Sequence, residues 1–86
     1  MNRFDYSLIP EHMMRALVRY TMQHCAVGDF LHAVITNDLR EACWCADDTN
    51  IDIIPVYVAW FHNEAPATCW GSPEKYDTWI ALGECK

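Results

Sequence analysis

The chain is poor in the residues that build loops, with three glycines and four prolines in 86 residues. Because Gly and Pro punctuate irregular structure, that scarcity argues against a loop-rich fold. Cations are also few. Six Lys/Arg stand against twelve Asp/Glu, a net charge of −6, and the six are scattered at Arg3, Arg15, Arg19, Arg40, Lys75 and Lys86. Neutralising a phosphate backbone takes clustered Lys/Arg, so direct nucleic-acid binding is disfavoured. No run approaches the roughly 18 apolar residues of a membrane span. The opening Met1-Asn2-Arg3-Phe4-Asp5 has no apolar core leading to a small-residue cleavage site, so a secretory signal is not expected and a cytoplasmic location is. Also missing are a phosphate loop, a dinucleotide fingerprint, an H-E-x-x-H pair and paired carboxylates in a glycosidase-like arrangement. The expectation is a protein that is not an enzyme and uses no cofactor.

What the chain has is apolar mass. Hydrophobic residues make up 52 % and four are tryptophan, each able to bury on the order of 200 Å². One domain is expected over residues 1–86, with a lead-in at 1–8 and a core at 9–82. The five cysteines, Cys25, Cys43, Cys45, Cys69 and Cys85, are odd in number and follow no signal, which predicts reduced thiols rather than a disulfide framework.

Four to five short helices are expected. In the lead-in, Phe4, Tyr6 and Leu8 pack back on the body. Pro10 opens the first helix, with Met14, Leu17, Val18, Thr21 and Cys25 as its inner face and Gly28 as its stop. Asp29 caps the second, which carries Phe30, Leu31, Val34 and Ile35. Thr36, Asn37 and Asp38 separate it from a third, with Leu39, Ala42 and Cys43 or Trp44 inward. The stretch from Ile51 to Phe61 is β-branched and aromatic, a strand by propensity. A strand there would have no partner elsewhere in the chain. A helix with Asp52 as N-cap and Pro55 in its first turn stacks Val56, Tyr57, Trp60 and Phe61 on one face. Pro66 stops that helix. Ser72, Pro73 and Glu74 restart the chain into a last one, with Tyr76, Trp79 and Ile80 inward and Gly83 closing it.

Candidate chemistry is thin. Cys43-Trp44-Cys45 looks metal-like, but structural zinc prefers Cys pairs spaced by two to four residues. On a helix the two thiols point about 200° apart, so a site would need Cys69 with His62 or His24. Cys69 with His62 is the corresponding thiol candidate, and burial of Cys69 beside Trp70 is the plainer alternative. The carboxylates Asp38, Glu41, Asp47, Asp48 and Asp52 are a solvated face or, functionally, a negative patch for an Arg/Lys-rich partner. Trp60, Trp70 and Trp79 are expected in the core.

The residues Ile9-Pro-Glu-His12, Gly28-Asp-Phe-Leu31, Asn37-Asp-Leu39, Asn63-Glu-Ala-Pro66 and above all Cys69-Trp-Gly-Ser-Pro-Glu74 resemble a family of small proteins of tailed bacteriophages and prophages. The likeness runs from about residue 9 to 81. Cys43-Trp-Cys45 and Pro55 depart from the family pattern. The family has no assigned function, so the resemblance carries over no catalytic residue. It implies a helical fold and a place in the host bacterial cytoplasm. By analogy with other small acidic phage proteins, it implies stoichiometric binding to a host or phage protein with a basic surface. A host-defence complex, as for anti-CRISPR proteins, or another nucleic-acid-handling protein fits that description. The alternatives are a metal- or thiol-dependent protein using Cys69 and His62, and a homo-oligomeric structural or regulatory phage protein.

Overall fold

A computed structural model describes residues 5–83 of the chain. Five α-helices follow one another: α1 (Glu11–Gln23), α2 (Asp29–Ile35), α3 (Leu39–Cys45), α4 (Ile54–Glu64) and α5 (Pro73–Ala81). Single turns of 3-10 helix lie at Tyr6–Leu8, Asn50–Ile53 and Ala67–Cys69, and among the described residues there is no strand. The radius of gyration is 11.9 Å, against about 12 Å for a compact chain of this length. The helices therefore form a single all-α domain around one core, as the sequence led us to expect. The expectations for Phe4 and Cys85 lie outside the described residues.

α1 begins after Pro10, whose missing N–H is harmless there. Its buried stripe is Leu17 and Tyr20, with Met13, Met14 and Ala16 partly covered. Val18, expected inside, is exposed. Leu17 and Cys25 are buried as expected, and Tyr20 joins them in place of Val18, its phenol donating to a buried acceptor in the Cys69 carbonyl. The helix also stops five residues before Gly28. His24 takes a left-handed φ of 57°, its Nδ1–H donates to the Trp79 carbonyl at 3.0 Å, and its ring lies 4.2 Å from that of Trp79. Gly28 instead caps the start of α2, and Asp29 is the first helical residue.

Phe30, Leu31, Val34 and Ile35 of α2 are all buried. Asn37, at φ 64°, breaks the chain between α2 and α3. Asp38 then caps α3, its carboxylate accepting the Glu41 N–H at 3.1 Å. α3 gives the core Ala42 alone. Leu39, expected inward, faces out, and so do both Cys43 and Trp44, one of which was expected inside.

The aromatic stretch is helical. α4 starts at Ile54, one residue later than an Asp52 cap would place it, because Asn50–Ile53 winds first as a 3-10 turn. Pro55 sits in the first turn, where no N–H is needed. Val56, Tyr57, Trp60 and Phe61 are buried together with Ile54 and Ala59. A helix this apolar belongs in the middle of a fold, and α4 meets α2, the 6–8 turn and the 50–53 turn. At its far end Tyr6 holds the lead-in down, donating to Glu64 at 3.3 Å and accepting from Asn63 at 3.0 Å. Leu8 is exposed.

Residues 63–74 have structural tasks throughout. Cys69 is fully buried and its carbonyl accepts the Tyr20 hydroxyl at 2.6 Å. Trp70 stacks on Phe61 at 5.6 Å. Gly71, at φ 112°, donates its N–H to the Ile35 carbonyl at 2.6 Å, tying the connector to the end of α2. Ser72 caps α5 by accepting the Lys75 N–H, and Pro73 and Glu74 follow in its first turn. Tyr76, Trp79 and Ile80 pack on the core. Gly83 crosses the end of α1 so closely that a Cβ there would lie 2.5 Å from that of His24.

Gly71→Ala forces a side chain into a backbone region that only glycine occupies freely, at a cost of about 1–3 kcal/mol. The expected result is a lower thermal midpoint, by roughly 4–8 °C for each kcal/mol in a domain of this size, with unchanged far-ultraviolet circular dichroism at 20 °C. An unaltered midpoint would show that the Gly71–Ile35 tie does not hold the connector.

Candidate functional site

The carboxylates singled out in the sequence lie on α3 and the turn after it. Asp38, Glu41, Asp47, Asp48 and Asp52 are all exposed. The ion pair among the described residues is between Arg15 and Glu11 on α1, so none of the five is neutralised by a described cation. The Asp38 carboxylate accepts the Glu41 N–H, and the charges of Glu41, Asp29 and Asp38 all act on the thiol of Cys45. Asp47 lines a hollow with Asp29 and Cys45. Its Oδ1 accepts the Asn50 N–H at 2.7 Å, and its charge acts on Tyr57. Asp48 and Asp52 are exposed around the 50–53 turn and make no hydrogen bond among the described residues.

On α3 these charges surround an apolar surface. Trp44 is 84 % exposed and Leu39 67 %. The other three tryptophans contribute to the core or its edge: Trp60 is buried, while Trp70 and Trp79 pack on it. Sequence reasoning put Leu39 and either Cys43 or Trp44 inside. With only seven residues and Ala42 on its inner side, α3 leaves Leu39, Arg40, Cys43 and Trp44 nowhere to go but solvent. The short acidic span between Asn37 and Asp47 carries that signal.

The metal and thiol candidates are not brought together. Cys43 is exposed on α3 and Cys45 is half-buried there, while Cys69 is enclosed in the 67–69 turn and His62 is exposed on α4. Among the described residues no three His, Cys, Asp or Glu side chains converge as metal ligands would. Cys25 departs from the expectation of reduced thiols, being disulfide-bonded.

Burial also keeps the inner polar groups protonated. It pushes the Cys69 thiol up to about 11, against a slight pull from Lys75, the opposite of what a nucleophile needs. The Cys45 thiol is raised because it donates to Glu41 Oε1 at 3.3 Å, with burial and the neighbouring carboxylates adding to this. Tyr57, whose hydroxyl donates to the buried Asn50 at 2.6 Å, is pushed up to about 12, first by burial and then by Asp47. Tyr20 is raised further, chiefly by burial. Among the described residues no buried side-chain nitrogen or oxygen lacks a partner, and no helix is long and apolar enough to cross a membrane.

No family model matches the chain, and neither does any curated protein or solved structure.

The thiols should therefore react in a fixed order. With iodoacetamide at pH 8 and peptide mapping by mass spectrometry, Cys43 is expected to label first and Cys45 more slowly. Cys69 should label only at the rate of unfolding. Fast labelling of Cys69 in the folded protein would contradict its enclosure.

Stability should also fall at alkaline pH. The folded state keeps protons on Cys69 and Tyr57 that the unfolded chain releases near their ordinary values of 9.0 and 10.0. Stability from these groups is thus intact below about pH 9 and is lost as pH climbs toward their folded values. Urea midpoints taken from pH 7 to 10.5 should be flat at first and then decline. A rising or constant midpoint above pH 9 would contradict the assignment.

Proposed function

We propose that this chain is a protein-binding module whose working surface is α3 with the turn that follows it. One observation carries the proposal. A tryptophan 84 % exposed stands on a helix flanked by carboxylates that no described cation neutralises. Trp is among the residues that dominate binding energy at interfaces, and an exposed one has no part in holding this fold. The segment from Asp38 to Asp52 carries five carboxylates and a single cation, Arg40. Such a surface attracts Lys/Arg-rich proteins and repels nucleic acid and anionic membrane.

The partner is then a protein with a basic surface, the kind that handles nucleic acid. The likeness of residues 9–81 to small phage proteins makes it a host or phage protein in the bacterial cytoplasm. Binding by mass action and occupying a phosphate-binding site would make the chain a stoichiometric inhibitor, as anti-CRISPR proteins are. No catalysis is needed for that role.

The test is capture from lysate of the host bacterium, comparing the wild type with the combined variant Asp38→Asn, Glu41→Gln, Asp48→Asn and Asp52→Asn. Asp47 is left in place because it holds the Asn50 N–H, and Asn at position 38 still caps α3. Mass spectrometry should find a basic protein retained by the wild type and lost, at least tenfold, with the variant. Equal retention would remove the acidic surface as the basis of binding.

A further inference from the structure

Beside the acidic face lies a small apolar groove between α2, α3 and α4, walled by Val34, Leu39, Ala42, Ile54 and Val58, with Asp38 at its lip. Asp38 also borders the outer hollow formed with Arg40, Glu41 and Trp44. One carboxylate is thus shared by an apolar slot and an aromatic, acidic shelf. We infer that the two together take an amphipathic basic segment of a partner protein, with an aliphatic side chain seated in the groove and an Arg or Lys on the shelf. The inference rests on the protein-binding reading and names the chemistry of the partner's contact.

Complementarity of charge and shape selects this occupant. The groove is lined almost wholly by carbon, so it gains free energy from an aliphatic side chain, about 25 cal/mol for each Å² removed from water. It opens beside Asp38, which it shares with the hollow that holds Glu41. A guanidinium reaching them lies against the exposed indole of Trp44, where cation–π attraction adds to the ionic one. Apolar contact without positive charge would leave these carboxylates desolvated and unmatched. Positive charge without an aliphatic side chain would leave Leu39 in water. Only a segment that carries both satisfies the surface. Nucleic acid and anionic lipid offer the wrong sign of charge. A second copy is the remaining competitor, because α1 exposes Val18 between Arg15 and Arg19.

The probe is a blocked helical peptide with leucine and arginine at helical spacing, set beside two relatives in which Leu is replaced by Ser or Arg by Glu. Binding is followed on ¹⁵N-labelled protein through the indole N–H of Trp44, identified by its disappearance in Trp44→Phe. The Leu/Arg peptide should bind at least tenfold more tightly than either relative. Its shifts should be confined to residues 33–45, Ile54 and Val58. Leu39→Ser and Trp44→Ala, both at exposed positions and so without consequence for folding, should each weaken it at least fivefold.

If those two variants bind like the wild type while the carboxylate-neutralised variant does not, the groove proposal fails and the acidic surface stands. If the neutralised variant also binds like the wild type, the protein-binding reading of this face fails with it. Equal affinity for the Ser-containing peptide overturns the groove. Sedimentation showing a dimer that Trp44→Ala dissolves assigns the face to a second copy and overturns the basic-partner occupant.

Discussion

The fold depends most on the surroundings of Tyr20. Its ring is fully buried, parallel to Tyr76 at 5.7 Å and edge-on to Phe61 at 6.5 Å. Its hydroxyl donates to the Cys69 carbonyl at 2.6 Å, and its own carbonyl accepts the Trp79 indole N–H at 2.7 Å. One residue of α1 therefore ties down α4, α5 and the connector between them. Each of these bonds saturates a group that would otherwise be buried unpaired, at about 1–3 kcal/mol. That exceeds the net worth of an ordinary hydrogen bond and is a sizeable part of a small domain's stability. Tyr57 repeats the device on the other flank, where its bond to Asn50 fixes the turn leading into α4.

Once the connector is held this way, it has no freedom to act as a functional loop. Cys69 is enclosed, Trp70 is stacked, Gly71 is tied to α2 and Ser72 is spent on a cap. The block from Cys69 to Glu74 is thus a structural junction. α3 is the opposite case. It contributes only Ala42 to the core, and the conformation of its ends is set locally, by Asn37 in the left-handed region and by the Asp38 cap. Its outer residues can change with little effect on the fold, which is the condition a binding surface requires.

Elements governed by local chemistry were legible in the sequence. The start of α5 follows from Ser72, Pro73 and Glu74, the end of α4 from Pro66, and the break between α2 and α3 from Asn37 and Asp38. The helical state of α4 was readable only through a tertiary argument, the lack of a partner strand, because its β-branched residues point the other way. What escaped were choices made between distant residues. Gly28 is a natural helix stop, yet α1 ends at Gln23, because Trp79 supplies a ring and a carbonyl that hold His24 left-handed. Val18 fits the inner stripe by spacing, yet Tyr20 takes that place because Cys69, 49 residues away, offers an acceptor. Of the acidic set, the gathering of Asp38 and Glu41 on α3 was visible from their i, i+3 spacing. The placing of Asp29 beside Cys45 was not, since it depends on how α2 folds against α3.

Trp44 completes the contrast between the two ends of the molecule. Trp60, Trp70 and Trp79 each pack in the core or against it, and Trp79 spends its N–H on Tyr20. Trp44 does none of this, and burying it against the body would have required only that α3 turn about its axis. The rotation is prevented by Ala42. It is the side chain small enough to let α3 lie close on α2, so the large residues must take the remaining directions. Close packing of the short helix and exposure of its tryptophan are therefore one decision. The same step places Asp38 and Glu41 at the edge of the exposed indole. A surface with an exposed aromatic centre bordered by Asp38, Arg40 and Glu41 follows directly from the position of one alanine.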